Sequence, residues 1–243
     1  LGLGVSLGEQ EKLQLGVTAI GNHRRFDEPT REPTTSVLRY YDPRKDMIGF
    51  EEGADTFELN ALIRFWGPRV EGIRQTGPRL EVFGGPVWSS LGGVFAHAGM
   101  EASWTFDLYG GSRLLTLRGF AETVEGPDAI IPFTALPRLG GMDRVRGYRM
   151  GRFRDKRAVG AGVEYRYPVH AWLQSVLFFD IGTVGHDWHN LVREQWHPGG
   201  GIGFLIGSSD TVLFRTDLAY GNGFTVSIAT DVPLAFNGRE EEL

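Results

Sequence analysis

Hydrophobic and polar side chains alternate one by one along many short segments of this 243-residue chain. In segment 174–183, for example, Leu177 and Phe179 share one side of the chain. Gln174 and Asp180 share the other side. A period of two indicates a β-strand and not a helix. The pattern predicts an all-β chain of about eleven or twelve strands, at 1–8, 12–21, 34–41, 57–65, 79–90, 101–108, 112–124, 158–167, 174–183, 201–206, 212–220 and 224–232.

Charged residues recur on the less apolar side of these predicted strands: Glu58, Arg64, Glu101, Asp107, Glu164, Arg166, Asp180, Arg215 and Asp217. Packing so many charges into the centre of a small soluble barrel would carry a large desolvation cost. A transmembrane barrel instead turns its apolar side to lipid and its polar side to the lumen. The pattern favours a transmembrane antiparallel β-barrel, and a lipocalin-like barrel or β-sandwich with its charges in water stays open.

The predicted connections alternate between short and long: 109–112, 168–171 and 208–210 against 125–156 and 185–199. Outer-membrane barrels have short periplasmic turns and long extracellular loops. We therefore expect one transmembrane barrel over 1–236, with an extracellular loop at about 125–156. Residues 237–243 form a polar C-terminal tail.

Composition agrees with this architecture and argues against other classes of protein. No window approaches the roughly 18 consecutive apolar residues of a spanning helix. The 35 glycines and 12% aromatic residues suit tight turns, small lumen-facing positions and interfacial girdles. The net charge of −5 argues against nucleic acid as a partner. The lack of cysteine excludes disulfides and thiolate metal sites.

Three linked segments carry a resemblance to a known family: LGGMDRVRGYRMGRFRD at 139–155, GVEYRYP at 162–168 and SVLFFDIGTVG at 175–185. Together they resemble the C-terminal barrel of the outer-membrane assembly-factor superfamily, the bacterial surface antigen barrels of the BamA and TamA type. The family hallmark is an arginine-glycine-aromatic sequence in a long extracellular loop. Here it is the VRGY motif that contains Arg146, Gly147 and Tyr148.

The resemblance implies that this loop folds back into the barrel lumen. The loop arginine then meets acidic residues on the next two strands, at the positions of Glu164 and Asp180. The residues themselves agree, because alternation places both acids on the polar side of adjacent strands. Two such carboxylates repel each other unless a cation lies between them. The planar fork of Arg146 can satisfy both, and we expect Arg166 and Arg144 to join the network.

Two further residues of the motif fit a loop that is tucked into the lumen. Gly147 permits a close backbone approach. Tyr148 can fill space while its hydroxyl finds a partner. The alternative, judged from the residues alone, is that Arg146 lies in a solvated loop with no fixed partner.

The resemblance also implies a barrel of sixteen strands whose first and last strands form a weakly paired lateral seam. The last strand here carries Phe224, Val226 and Ile228. Substrate strands enter such a seam by edge pairing, which is β-augmentation. Because fewer strands are predicted than the family has, we expect the barrel over 1–236 to lack its N-terminal strands, with any POTRA domains upstream. A barrel of twelve strands stays open as the alternative. Pro233 and the polar tail depart from the family pattern.

These features predict an integral barrel of the bacterial outer membrane that inserts, assembles or translocates outer-membrane proteins through its seam. The expected partners are outer-membrane lipids and either nascent outer-membrane proteins or subunits of a periplasmic or outer-membrane complex. An alternative is a standalone member without POTRA domains, serving as a structural subunit or in lipid transport. A passive porin and a lipolytic barrel stay open as further alternatives.

We predict no enzymatic activity, no catalytic residue, no cofactor and no metal. The histidines His186, His189 and His197 fall in one predicted loop without a matching acidic cluster, so an ordinary exposed loop is favoured over a metal site. A lipase would need a Ser–His pair with an orienting group. Serines lie near His97 in the predicted strands, but no spacing fixes them together.

Overall fold

The computed structural model describes residues 2–7, 13–26, 47–67, 76–110, 112–207 and 212–230. In this part of the chain, eleven strands form one antiparallel sheet and two short strands form a second. The strands are β1 Gly2–Leu7, β2 Leu13–Arg24, β3 Ala54–Trp66, β4 Gly77–Ser89, β5 Gly93–Asp107, β6 Leu114–Glu125, β7 Arg138–Leu139, β8 Phe153–Arg154, β9 Arg157–His170, β10 Leu173–Gly185, β11 His197–Gly207, β12 Val212–Tyr220 and β13 Phe224–Ala229. Short 3-10 helices occupy Asp128–Ile130, Phe133–Ala135 and Leu191–Arg193.

The large sheet is an up-and-down meander in which each strand pairs with its neighbours in the chain. The one exception is the pairing of β6 with β9, which brackets the loop of residues 126–156. That loop holds the small β7–β8 sheet. Within the described residues, β1 and β13 form the two edges of the large sheet.

The predicted strands are confirmed, with two differences. Segment 34–41 lies outside the described residues. So do residues 231–243, which include Pro233 and the polar tail. The strand predicted at 101–108 begins earlier, at Gly93. Its first half places apolar Phe95 on the inner side and the small residues Ala96 and Ala98 on the outer side, and this weakens the alternation that marks a strand.

Side chains on the two faces of the large sheet are inverted relative to a soluble protein. Large apolar side chains, each more than a third exposed, cover what we call the outer face: Phe57, Ile63, Trp104, Leu117, Leu177, Phe179, Ile202, Phe204 and Leu218. Buried polar and charged side chains cover the inner face: Asn60, Arg64, Glu81, Thr116, Glu164, Arg166, Asp180, Arg215 and Asp217. Soluble proteins bury apolar side chains and expose charged ones. The inversion is the arrangement predicted for a barrel whose outer face meets lipid.

Glycines on neighbouring strands make room for the inner-face acids. In the strand register, Asp180 pairs with Gly162, and Asp217 pairs with Gly203. A Cβ atom at either glycine would collide with the carboxylate opposite. The strands can therefore place charged groups on the inner face without spreading apart.

The loop of residues 126–156 packs over the inner face through two apolar clusters. Ile131 joins Val87, Phe95 and Val124 in one of them. Leu139, Val145 and Tyr148 form the other, against Phe120 and Val184 of the sheet. We call this segment the docked loop. No helix of the described residues is long and apolar enough to cross a membrane.

If lipid covers the outer face, a charge placed there will destabilise the protein. We expect Phe179→Arg to lower the free energy of unfolding in lipid vesicles by about 2–4 kcal/mol. Val192→Arg is the matched control, because Val192 is also exposed but lies in a loop helix. Its expected effect is within about 0.5 kcal/mol. Urea titration of the two variants measures both values, and equal small effects would contradict a lipid-covered face.

Candidate functional site: the docked loop

Arg146 of the docked loop lies between two acids of the inner face. Its Nε donates to Asp180 Oδ2 at 2.6 Å, and its Nη2 donates to Asp180 Oδ1 at 3.0 Å. Its Nη1 donates to Glu164 Oε2 at 2.7 Å. The backbone N–H of Arg146 also donates to Asp180, at 3.2 Å. This is a bidentate fork on one carboxylate with a third bond to the next strand.

The side chains that form this contact are buried, and their burial strengthens it. Arg146 is 4% exposed and Asp180 is fully buried. The face of Phe178 lies under the guanidinium, with 3.6 Å between Arg146 Cζ and the ring centroid. Burial works against the charge of Arg146, yet Asp180 and Glu164 outweigh it and raise the pKa of the guanidinium. The loop cation therefore stays charged at any physiological pH.

Arg118 on β6 is a second clamp on the same loop. Its Nη2 donates to Asp180 Oδ1 at 2.9 Å. It also donates to two backbone carbonyls of the loop, those of Asp143 and Arg144, both at 3.1 Å. Asp180 therefore receives one arginine from the wall and one from the loop. The sequence analysis did not single out Arg118, although it lies on the inner side of a predicted strand.

Glu164 is the second centre of the network. Arg166 Nε donates to Glu164 Oε1 at 2.8 Å, as predicted for a member of the network. Arg215 Nη2 donates to Glu164 Oε2 at 2.9 Å, and Arg215 Nε also bonds both oxygens of Asp217. Arg146 lies 3.8 Å from Asp217. The sequence analysis placed Arg215 and Asp217 on the polar side of β12 but did not connect them to the loop.

Gly147 and Tyr148 fix the tip of the loop against the β12–β13 hairpin and the start of β11. Gly147 has a φ of +93°, and a Cβ there would lie 2.7 Å from the backbone nitrogen of Gly221. The Gly147 carbonyl accepts a bond from the Asn222 N–H at 3.4 Å. The Tyr148 hydroxyl donates to the Pro198 carbonyl at 3.0 Å. Burial raises the pKa of this hydroxyl, which keeps its proton for that bond.

Arg144 was expected to join the network of Arg146, but it binds a different part of the inner face. Its side chain does not join Arg146 on Glu164. Its Nη2 donates to Glu122 Oε2 at 2.9 Å, and its Nη1 lies 3.9 Å from Glu101. Its guanidinium also lies over Phe120, 4.3 Å from the ring centroid. Two arginines of the docked loop therefore bind different parts of the sheet, Arg146 on β9 and β10 and Arg144 on β5 and β6.

The sequence model of the Omp85 superfamily domain matches residues 92–227, more than half of the chain. The chain belongs to the Omp85 superfamily. The matched range contains the docked loop and every acid that binds Arg146. No curated protein matches the sequence significantly.

The fold of this Omp85 barrel is similar to that of BamA from Haemophilus ducreyi, solved without POTRA domains 1–3. The TM-score is 0.63 and the sequence identity is 16%. The match covers 94% of this chain and 51% of the BamA chain. The chain therefore spans about half the length of the solved protein that it resembles.

The strand predicted to form the seam is β13, at one edge of the Omp85 sheet. Its outer-face residues Phe224, Val226 and Ile228 are 79%, 66% and 64% exposed. They pair with β12 on one side, opposite Tyr220, Leu218 and Thr216. Their high exposure reflects the lack of a second neighbouring strand among the described residues.

The loop histidines do not converge. His186 and His189 are exposed, and His197 stacks on Phe153 with 3.7 Å between ring centroids. Across the described ranges, no group of three or more His, Asp and Glu side chains is arranged to hold a metal ion.

Removing the loop cation should destabilise the Omp85 barrel. We expect Arg146→Ala to lower the free energy of unfolding by about 3–5 kcal/mol, because Asp180 and Glu164 each lose a buried charged partner and keep only the arginines of the sheet. Arg146→Lys should recover only part of this, since an ammonium cannot form the fork. Arg149→Ala, an exposed arginine of the same loop, is the control and should have little effect. Heat-modifiable electrophoretic migration and urea titration measure the three variants, and a stable Arg146→Ala protein would contradict the assignment.

The loop tip can be tested with two glycines that share a left-handed backbone. Gly147→Ala should detach the tip, because the new methyl group would meet the backbone at Gly221. Gly223 has a φ of +103° but open space around it, so Gly223→Ala should cost only about 1 kcal/mol of backbone strain. Limited proteolysis of the loop measures detachment. Equal protection of the loop from the protease in both variants would show that the close approach of Gly147 to the backbone at Gly221 is unimportant.

Proposed function

We propose that this Omp85 barrel lies in a bacterial outer membrane and acts in the insertion or assembly of outer-membrane proteins at the edge strand β13. The proposal rests chiefly on one observation. Among the described strands, β13 is an edge strand whose outer-face residues are apolar and highly exposed. The docked loop contacts the turn between β12 and β13 from the inner side. Such an edge offers unpaired N–H and C=O groups to an incoming strand, which is the physics of β-augmentation.

The contacts of the loop support a role as a brace for this edge. Gly147 contacts the hairpin at Gly221, and Arg146 lies within reach of Asp217 on β12. Arg215 ties β12 to Glu164 on β9. These contacts hold the penultimate strand from the inner side, so that β13 can open or exchange partners while β12 stays in place.

The outer face supports the membrane location and the expected lipid partners. The apolar side chains of β3, β5, β10, β11 and β12 form a continuous exposed surface that water would not favour. The net charge of −5 argues against nucleic acid as a partner. We therefore propose outer-membrane lipids and nascent outer-membrane proteins, or subunits of an assembly complex, as the partners.

The inner face supports neither an open pore nor a hydrolytic site. The docked loop and its arginines fill the space over β6, β9 and β10. Both ring nitrogens of His97 are bonded to carboxylates, those of Glu58 and Glu122. The Ser89 hydroxyl accepts a bond from the backbone N–H of Leu91, and the Ser90 hydroxyl accepts one from the backbone N–H of Asp55 on β3. We infer that the chain is not an enzyme and needs no cofactor or metal.

Site-specific photo-crosslinking tests the proposed edge. A photoreactive amino acid at Val226 should capture a nascent outer-membrane protein during its assembly. The same amino acid at Phe179 is the matched control, because Phe179 also lies on the outer face but in the middle of the sheet. We expect adducts at Val226 and few at Phe179. Equal labelling at both positions, or none at Val226, would contradict a role for the edge.

Planar-bilayer recordings separate this function from a passive porin. A barrel filled by the docked loop should conduct weakly and intermittently, and Arg146→Ala should raise the conductance by releasing the loop. A large, steady conductance in the unaltered protein would favour the porin.

A further inference from the structure

A histidine on the inner face bridges two glutamates from other strands. His97 of β5 places Nδ1 2.7 Å from Glu58 Oε1 on β3, and Nε2 3.0 Å from Glu122 Oε1 on β6. We call these three residues the His97 bridge. Their side chains are 11–14% exposed. The bridge is separate from Arg146 and its acids, and the proposed assembly function gives it no role.

The number of protons at the bridge follows from its hydrogen bonds. A neutral imidazole has one N–H, and an ionised carboxylate can only accept. Both ring nitrogens of His97 face carboxylate oxygens at bonding distance, so the bridge needs one proton more than neutral histidine with two ionised acids would carry.

Other donors place this extra proton on the imidazole. Glu58 Oε1 also accepts from the side-chain amide of Asn60. Glu122 Oε2 accepts from Arg144 of the docked loop, at 2.9 Å. Both carboxylates are thus acceptors on two sides, which favours their ionised form. His97 is then an imidazolium that donates to both.

Among the described residues, the other groups packed around the bridge do not replace this proton. Phe83 of β4 presents its ring to His97 edge to face, with 5.1 Å between centroids. Glu101, four residues along β5, lies near Arg144 and adds a negative charge. Further along the inner face, Arg64 and Glu81 pair with each other at 2.7 Å. The bridge, Glu101 and Arg144 together carry three negative and two positive charges when His97 is protonated.

We propose that the His97 bridge is a proton-binding site that controls the docking of the loop through Glu122 and Arg144. When the proton is bound, His97 holds Glu122 in the position where its second oxygen receives Arg144. When the proton leaves, a ring lone pair faces a carboxylate oxygen, and the two must separate. Glu122 then turns away from His97, and Arg144 loses a fixed partner. The Arg144 side chain detaches from β5 and β6 and the segment around it loosens, while Arg118 keeps its bonds to the loop carbonyls and Arg146 stays in place.

The sign of the pH dependence follows from this mechanism. The docked state binds the proton and the detached state does not, so docking is complete at neutral pH and is lost as the pH rises. Arg144 itself cannot cause the change, because an arginine does not lose its proton in this range.

A spin label on the loop can follow this change, because the chain has no cysteine of its own. Met142→Cys places a single nitroxide two residues from Arg144. Electron paramagnetic resonance of the labelled full chain in lipid vesicles, from pH 6 to 10, reports its mobility. We expect an immobilised spectrum at pH 6 and a several-fold larger mobile fraction at pH 10. Arg144→Gln in the same background gives the spectrum of the detached loop.

We predict opposite outcomes for two variants, so the proposal can still be tested if one of them fails to fold. In His97→Gln, the side chain cannot donate to both acids, and the label should be mobile at every pH. In Glu58→Gln, the amide can donate to the neutral imidazole, and the label should stay immobilised up to pH 10. Heat-modifiable migration confirms that each variant folds. An unchanged pH profile in both variants, or a label that shows no transition in the unaltered protein, would overturn the proposal. Because no substrate is present, this result is independent of the proposed assembly function.

Discussion

The inner face of this barrel depends on one shared guanidinium. Asp180 and Glu164 lie on paired strands and face the same enclosed space, where their negative charges would repel each other. The sheet supplies Arg118, Arg166 and Arg215, but the fork that joins both acids comes from the loop. The docked loop is therefore part of the charged network of the sheet, because only its arginine bonds both Asp180 and Glu164.

This arrangement reverses the usual roles of the two sides of a strand. The apolar side has no packing partner within the chain and depends on its surroundings for cover. The polar side is buried, and each charged group there needs a partner within the chain, since an unpaired charge in an enclosed space is costly. Glycines opposite the acids allow this, because they leave room for carboxylates where another residue would push the strands apart.

The sequence predicted the strands well because the two-residue period is strong where both sides are distinct, as in β10. It predicted Arg146, Glu164, Asp180 and Arg166 because a resemblance joined distant segments. Arg118 was missed, since segment 112–124 alternates poorly and no local pattern says which wall arginine meets a loop carbonyl. Arg144 was expected to join the network of Arg146 but binds Glu122 instead, because residues two apart in an irregular loop can point to opposite sides. The bridge at His97 joins β3, β5 and β6, and no pattern within one strand could reveal it.

The order of the binding partners along the chain has a consequence for how the protein is made. Arg144 binds acids that precede the loop, on β5 and β6, whereas Arg146 binds acids that follow it, on β9 and β10. A polypeptide that emerges with its N-terminus first thus acquires the partners of Arg144 early and those of Arg146 late. The first contact shortens the search for the second, because it already holds the segment near the growing sheet.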